Sequence, residues 1–377
     1  MKRMTRRLVG AVATLLWMGG CASLVGIEDL TYDAAPPPPP PPSKACVEYC
    51  DTVANGCKGV HELYSSNDAC LGTCAKLDPD VEPVGNNVGC RKKEAQFAIS
   101  SEEPQAHCQA AGPGGAPSCG NICDSWCTLL EKTCPKQYRD ISNCPRACAA
   151  LKDRGTYDSK IDYEGDTIQC RIQHVANANG SATAPATHCD HAALVSNLHC
   201  LAPQNMAPDC AEFCRFNIAG CTGDLAVYES TQQCMAVCAA LPPGTNGDRD
   251  ENTMGCRHWH IFNSIRIDAA AHCAHTGPGG DGHCGLDTTG KTGNCESYCI
   301  LAEKACGAGF AAKYASQTAC QLECSTQPDA FGAKIDSKYR LAAAVSGNTL
   351  QCRLLHASRA LTDDTACPSA LGQGACQ

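Results

Sequence analysis

The sequence predicts a mostly α-helical, small disulfide-rich fold of four tandem modules, each built from three short helices followed by a glycine-rich loop. Three observations lead there. Thirty-three of 377 residues are cysteine, about 9%, a density read as a disulfide scaffold in an exported chain. Aromatic residues make up only 5%, with six Phe and three Trp, too few for one large core, so several stapled modules fit better. Finally, thirty-two of the cysteines fall into four groups of eight with one recurring pattern: C-x3-C-x6-C, then C-x3-C, then C-R, then C-x8-10-C.

The first two helices of each module follow from that pattern. Three leading cysteines at offsets 0, 4 and 11 stand at about 0°, 40° and 20° around a helix, so they share one face. The second C-x3-C pair shares a stripe in the same way. Four residues before it stands Ser66, Asp140, Ser230 or Ser316, each an N-cap type, and Ser230 with Gln233 reads as a capping box. A tyrosine precedes each cap by two (Tyr64, Tyr138, Tyr228, Tyr314) and is expected to pack over the interhelical turn. The third helix is placed at Cys-Arg, with Asn86, Asp166, Asn252 or Asn348 expected as its cap. Loops such as Gly112-Pro113-Gly114-Gly115 and Gly277-Pro278-Gly279-Gly280 end the module.

Domain boundaries follow: 1–20 a signal peptide, 21–44 a lipid anchor and proline-rich tether, then modules at 45–119, 120–204, 205–290 and 291–377. The leader has Lys2, Arg3, Arg6 and Arg7, an apolar run from Leu8 to Met18, and Gly19-Gly20 before Cys21, too short to span a bilayer as a helix. Trp17-Met18-Gly19-Gly20-Cys21 resembles a bacterial lipobox, with Met18 where such motifs usually have Leu. The resemblance implies acylation of Cys21, the one cysteine outside the four groups, and Ala22 after it implies an outer-membrane lipoprotein, periplasmic or surface-exposed. Pro36 to Pro42 would span about 22 Å as a polyproline spacer.

Antiparallel pairing of the two C-x3-C helices joins the first cysteine of one to the last of the other. The expected bonds are Cys46–Cys74 and Cys50–Cys70, Cys123–Cys148 and Cys127–Cys144, Cys210–Cys238 and Cys214–Cys234, Cys295–Cys324 and Cys299–Cys320. The third cysteine is expected to reach the third helix, as Cys57–Cys90, Cys134–Cys170, Cys221–Cys256 and Cys306–Cys352. The last two would close the loop, as Cys108–Cys119, Cys189–Cys200, Cys273–Cys284 and Cys367–Cys376. The paired C-x3-C helices resemble the stapled hairpins of plant α-hairpinin peptides over about thirty residues per module. The fuller string, C-R-x-x-H with H-C-x-H-x-G-P-x-G-G, together with the leader and Gly26-Ile27-Glu28-Asp29-Leu30, resembles cysteine-rich repeats of predicted myxobacterial lipoproteins. That resemblance implies location and architecture, and no activity.

The candidate chemistry lies in histidines. Ten of the twelve occupy repeat-equivalent places. His174, His188 and His191, and in register His260, His272 and His275, form a candidate zinc or copper ligand set, since neutral imidazoles bind both ions well; His199 and His283 are also in register. The first module keeps only His107, with Glu94 in the helix slot, and the fourth only His356. Histidines dispensable in half the modules are not needed for the fold. Arg91, Arg171, Arg257 and Arg353 follow the sixth cysteine in every module, where a guanidinium is expected to hold a carboxylate or loop carbonyls.

Other classes are excluded. Loss of the four leader bases leaves 26 bases against 39 acids, a charge of −13 that argues against nucleic acid. Gly285 to Thr292 spells a phosphate-loop pattern, but between two extracytosolic modules it implies no nucleotide. The C-x3-C pairs lack the C-x-x-C redox spacing, and no metalloprotease, haem or nucleophile-elbow motif occurs. The expectation is a non-enzymatic lipoprotein attached to the bilayer through acylated Cys21, with a structural, adhesive or ligand-binding role toward a protein or glycan. A metal-binding lipoprotein is the alternative, and an enzyme of unrecognised class the third.

Overall fold

Capping side chains set where the helices begin, and two of the four helix types start where a Ser, Thr or Asn meets the backbone three residues on. The computed structural model describes residues 41–139, 141–194, 199–281, 283–284, 294–325 and 339–377. Cys21, most of the proline tether, Asp140 and the Gly285 to Thr292 segment lie outside the described residues. Among those described there is no strand, only isolated bridges at Asp78/Asn87 and Lys152/Thr167. No described helix is long and apolar enough to cross a membrane.

The helices come in four sets. The first is α1 (Lys44–Gly56), α2 (Asn67–Cys74), α3 (Val88–Ser100) and α4 (Pro104–Ala111). The second is α5 (Ile122–Thr133), α6 (Cys144–Ala150), α7 (Ile168–Asn177) and α8 (Ala184–Ala192). The third is α9 (Cys210–Gly220), α10 (Thr231–Ala240), α11 (Met254–Arg266) and α12 (Ala269–His272). The fourth is α13 (Asn294–Lys313), kinked at Gly307, then α14 (Gln317–Cys324), α15 (Leu350–Ala360) and α16 (Cys367–Ala370). Each set thus carries a fourth short helix beyond the three expected. At four residues, α12 and α16 are too brief to leave a hydrophobic period in the sequence.

The caps agree with the sequence at the second helix of the first, third and fourth sets, and shift by one at the third helix; in the second set α6 follows Asn143, which makes no side-chain capping bond. Ser66, Ser230 and Ser316 each accept the N–H three residues on, at 3.1 Å. Gln233 accepts from the Glu229 N–H at 2.7 Å, one residue beyond the Ser230 N–H that a true capping box would use. For the third helix the caps are Asn87, Thr167, Thr253 and Thr349, which receive the N–H of Cys90, Cys170, Cys256 and Cys352. Asn86, Asp166, Asn252 and Asn348 sit one place too early for that bond. Instead each holds the Arg five residues on, at 2.8, 2.6, 3.0 and 2.7 Å.

Sixteen disulfides staple the sets. The hairpin pairs lie where antiparallel helix geometry puts them, Cys46–Cys74 and Cys50–Cys70, with equivalents Cys123–Cys148, Cys127–Cys144, Cys210–Cys238, Cys214–Cys234, Cys295–Cys324 and Cys299–Cys320. The other two bonds of every set differ from expectation. In place of Cys57–Cys90 and Cys108–Cys119 the structure has Cys57–Cys108 and Cys90–Cys119. In place of Cys134–Cys170 and Cys189–Cys200 it has Cys134–Cys189 and Cys170–Cys200. Cys221–Cys273 and Cys256–Cys284 replace Cys221–Cys256 and Cys273–Cys284, and Cys306–Cys367 and Cys352–Cys376 replace Cys306–Cys352 and Cys367–Cys376.

The reason is the direction in which the first and third helices pack. A Cβ at Gly56, the last residue of α1, would lie 2.4 Å from the Ala95 carbonyl and 3.4 Å from Ala98, so the end of α1 rests on the far half of α3. Cys90 sits at the start of α3, about 12 Å from Ala98 at 1.5 Å per residue, beyond disulfide reach. Cys57 therefore meets Cys108 on α4. The arginine completes the other half: buried Arg91 donates to the Gly112 and Pro113 carbonyls at 3.0 and 3.4 Å and draws the Gly-Pro loop over the start of α3. That brings Cys119 to Cys90. Arg257 does the same with Gly277 and Pro278, at 3.0 and 3.1 Å.

These arginines also join neighbouring sets. Arg91 donates to Ser125 on α5 and Arg257 to Ser297 on α13, at 3.0 and 3.1 Å. Across the second and third sets Lys152 pairs with Asp209 and Glu212. The tyrosines pack inside as expected, Tyr64 against Tyr49 and Tyr314 against Tyr298, hydroxyl to hydroxyl at 2.7 and 3.2 Å.

Candidate functional site

One turn after the sixth cysteine, the third helix places a histidine beneath the disulfide that ties its start to the end of the module. In the second set this is His174 on α7; in the third it is His260 on α11. The corrected pairing decides what surrounds them. His188 and His199 each immediately precede a cysteine, and the Cys134–Cys189 and Cys170–Cys200 bonds carry both against α7. His191, at the end of α8, fills the third side.

The imidazoles converge. His174 Nδ1 lies 3.0 Å from His188 Nδ1, and the His174, His188 and His191 donor atoms fall within 4.8 Å of one another. The His199 ring is 5.3 Å from His174 and 4.4 Å from His191, centroid to centroid. The third set repeats this arrangement. His260 Nδ1 is 3.0 Å from His272 Nδ1 and 3.3 Å from His275 Nδ1, and His283 lies 5.3 and 4.2 Å from His260 and His275. Two imidazole nitrogens on one tetrahedral zinc stand about 3.3 Å apart, given a zinc–nitrogen distance of about 2.05 Å. The clusters therefore already have ligand spacing.

All six histidines expected as ligands are brought together, three in each cluster. His199 and His283 join them, although the sequence places neither in the ligand set. The His-Cys dipeptides at 199–200 and 283–284 carry the signal, but only pairing of the eighth cysteine with the sixth turns it into proximity.

Tautomer and charge both favour ligation. His174 Nε2 lies 3.1 Å from the Tyr163 carbonyl, which can only accept, so the proton is on Nε2 and Nδ1 presents a lone pair. A ligating histidine is commonly oriented by this kind of backbone contact. Burial, reinforced by the neighbouring imidazoles, pushes His174 down to about 4 and His260 to about 3. Burial also lowers His188 and His191. Near neutral pH the central imidazole of each cluster is therefore uncharged.

The outer sets occupy the same positions differently. In the first, Glu94 and His107 share a hydrogen bond at 2.8 Å, with Ala110 and Ser118 at the other two places. In the fourth, His356 faces the Val345 carbonyl at 3.4 Å, with Ala366, Ser369 and Ala375 at the other three repeat-equivalent places. Three further groupings join a histidine to two cysteines: Cys170 with His174 and Cys200, and the equivalents at His260 and His356. Their sulfurs are held in disulfides, so they offer no thiolate, and the available donors are imidazoles.

Residues 201–289, which contain all eight cysteines of the third set, match the BfoA family C-terminal domain. The chain is also similar to proteins described as Aurasperone B biosynthesis cluster protein A from two strains of Aspergillus niger, at 26% identity over 134 residues. That segment covers 35% of this chain and 39% of each relative, so the chain spans about two fifths of the length of the curated relatives it matches. No solved structure matches it.

Proposed function

We propose that this protein is an exported lipoprotein that binds two transition-metal ions, zinc or copper, one in each histidine cluster. The observation that carries this reading is the convergence of four imidazoles in both the second and third sets, with nitrogens already 3.0 to 3.3 Å apart and protonation of the central imidazole suppressed by burial. An all-imidazole donor set suits zinc and copper(II) and disfavours magnesium or calcium, which take oxygen.

The rest of the chain serves that role as scaffold. Disulfides hold the ligands in place where an aromatic-poor core gives little rigidity, and the lipobox-like sequence at Cys21 supports an anchor at the outer membrane. The role this reading assigns is sequestration or delivery of the ion. Binding within two sets leaves the tandem array free for contact with a protein or glycan.

Metal titration of the oxidised full-length protein tests the proposal. Two zinc ions per chain are expected, one after His174→Ala or His260→Ala, and none after both. Unchanged stoichiometry in the double variant, or no binding by the parent, would rule out metal binding at these clusters.

A further inference from the structure

Consecutive sets dock through the second helix of one and the end of the third helix of the next. Between the first and second sets, a Cβ at Gly72 on α2 would lie 2.0 Å from the Asn179 carbonyl, and Ser65 donates to Asn177 Oδ1 at 2.6 Å. Gly72 and Ser65 stand two after and five before the fourth cysteine of their set; Asn177 and Asn179 stand seven and nine after the sixth of theirs. The joint between the third and fourth sets uses the same places, Arg359 Nε donating to Glu229 at 2.9 Å. In the middle joint Ile265, nine after its sixth cysteine, lines a small cavity with Arg146 of the second set and is only 4% exposed.

The first and fourth sets present these same places to solvent, and there they are apolar. Seven and nine after the sixth cysteine of the first set stand Phe97 and Ile99, 45% and 56% exposed. Ile99 is seated in α3 as Ile265 is in α11: a Cβ at Gly56 would lie 3.1 Å from Ile99, and one at Gly220 would lie 2.7 Å from Ile265. Two after the fourth cysteine of the fourth set stands Leu322, 71% exposed, and five before it Ala315, also exposed. Apolar side chains turned out at matching places on two faces mark an interaction surface, as singly scattered ones do not.

The rim of the joint matches as well. The residue two after the first cysteine is buried against the preceding set as Ser125, Glu212 and Ser297, but its equivalent Glu48 is open to solvent beside Lys92. Ser125 and Ser297 meet Asn86 and Asn252 at 3.2 and 2.8 Å. The equivalent of those asparagines in the fourth set, Asn348, is exposed. Its Oδ1 accepts from Arg353 at 2.7 Å, which leaves the amide N–H groups to donate to a carboxylate.

We infer that copies of this chain associate head to tail, the fourth set of one copy docking on the first set of a second copy as consecutive sets dock within the chain. Leu322 and Ala315 of one copy cover Ile99 and Phe97 of the other, and Asn348 donates to Glu48. The two faces are different surfaces, so the contact is heterologous and builds rings or filaments in place of closed pairs. It uses no histidine of either cluster and is independent of metal.

Sedimentation velocity of the oxidised full-length protein in density-matched detergent, over a concentration series, tests this. Mass should grow with concentration past two copies. Ile99→Glu alone and Leu322→Glu alone should each remain a single copy where the parent assembles, association being weakened at least about a hundredfold by a carboxylate trapped in an apolar joint. An equimolar mixture of the two variants should form one-to-one pairs and stop there, because only the Leu322 face of one and the Ile99 face of the other stay intact. Pairing in the mixture also shows that both variants fold; should either lose its helical circular dichroism, Ile99→Ser and Leu322→Ser replace them. A parent that stays a single copy or stops at two overturns the assignment without any variant. Association that survives either change, or folded variants that fail to pair when mixed, overturns it as well.

Discussion

Replacing Cys200 with Ala should free the thiol of Cys170 and weaken both the second set and its histidine cluster. The Cys170–Cys200 bond spans a sequence separation of 30, worth about 3.6 kcal/mol in the chain-entropy model. Nearly all of that should appear as lost resistance to guanidinium in the unfolding of this part of the chain. The same change unties His199 from His174, so one cluster loses its fourth imidazole and the other is untouched. Alkylation followed by peptide mapping identifies the freed thiol, and zinc titration reads the ligand loss. An alkylated Cys189 in place of Cys170 would show that the end of the module closes on itself and that the arginine-held loop does not bring the eighth cysteine to the third helix.

Acid should destabilise the metal-free protein. His174 falls from an ordinary 6.5 to about 4 on folding, so between those values the unfolded chain binds more protons, and stability present above pH 6.5 is lost as pH falls toward 4. The full shift corresponds to about 3 kcal/mol, reduced to roughly 2 for water reaching the ring edge; urea titrations at pH 7 and 4.5 on the parent and on His174→Ala measure it. Arg257→Met should cost about 3 kcal/mol or more by stranding the Gly277 and Pro278 carbonyls and Asn252, and Arg257→Lys should not restore it because a lysine lacks the fork; thermal unfolding distinguishes the three. Cys21→Ser should abolish palmitate labelling and release the protein from membranes, and persistent labelling would remove the proposed anchor.

Features set by local geometry were legible in the sequence. The hairpin disulfides depend only on two helices running antiparallel, and the serine caps of the second helix depend on a bond three residues long. The remaining disulfides depend on how α1 lies along α3, a contact made at Gly56 and Ala95 that no cysteine spacing reports. The expected cap of the third helix falls one residue early because Asn86 and Asn87 are both good caps by type; what separates them is that Asn86 is taken by Arg91. The same long-range fact governs the site. Histidines 174, 188 and 191 are recognisable by their repetition, whereas His199 joins them only because Cys200 crosses to Cys170.

X-ray absorption at the metal edge of the zinc-loaded, oxidised protein tests the proposed metal site most directly, because it reports the donor atoms themselves. The expected result is a shell of nitrogen only, about four atoms at about 2.0 Å with the multiple-scattering pattern of imidazole. A sulfur shell at about 2.3 Å would contradict it, showing that the metal is held by cysteines and that the disulfides of the scaffold are not all formed.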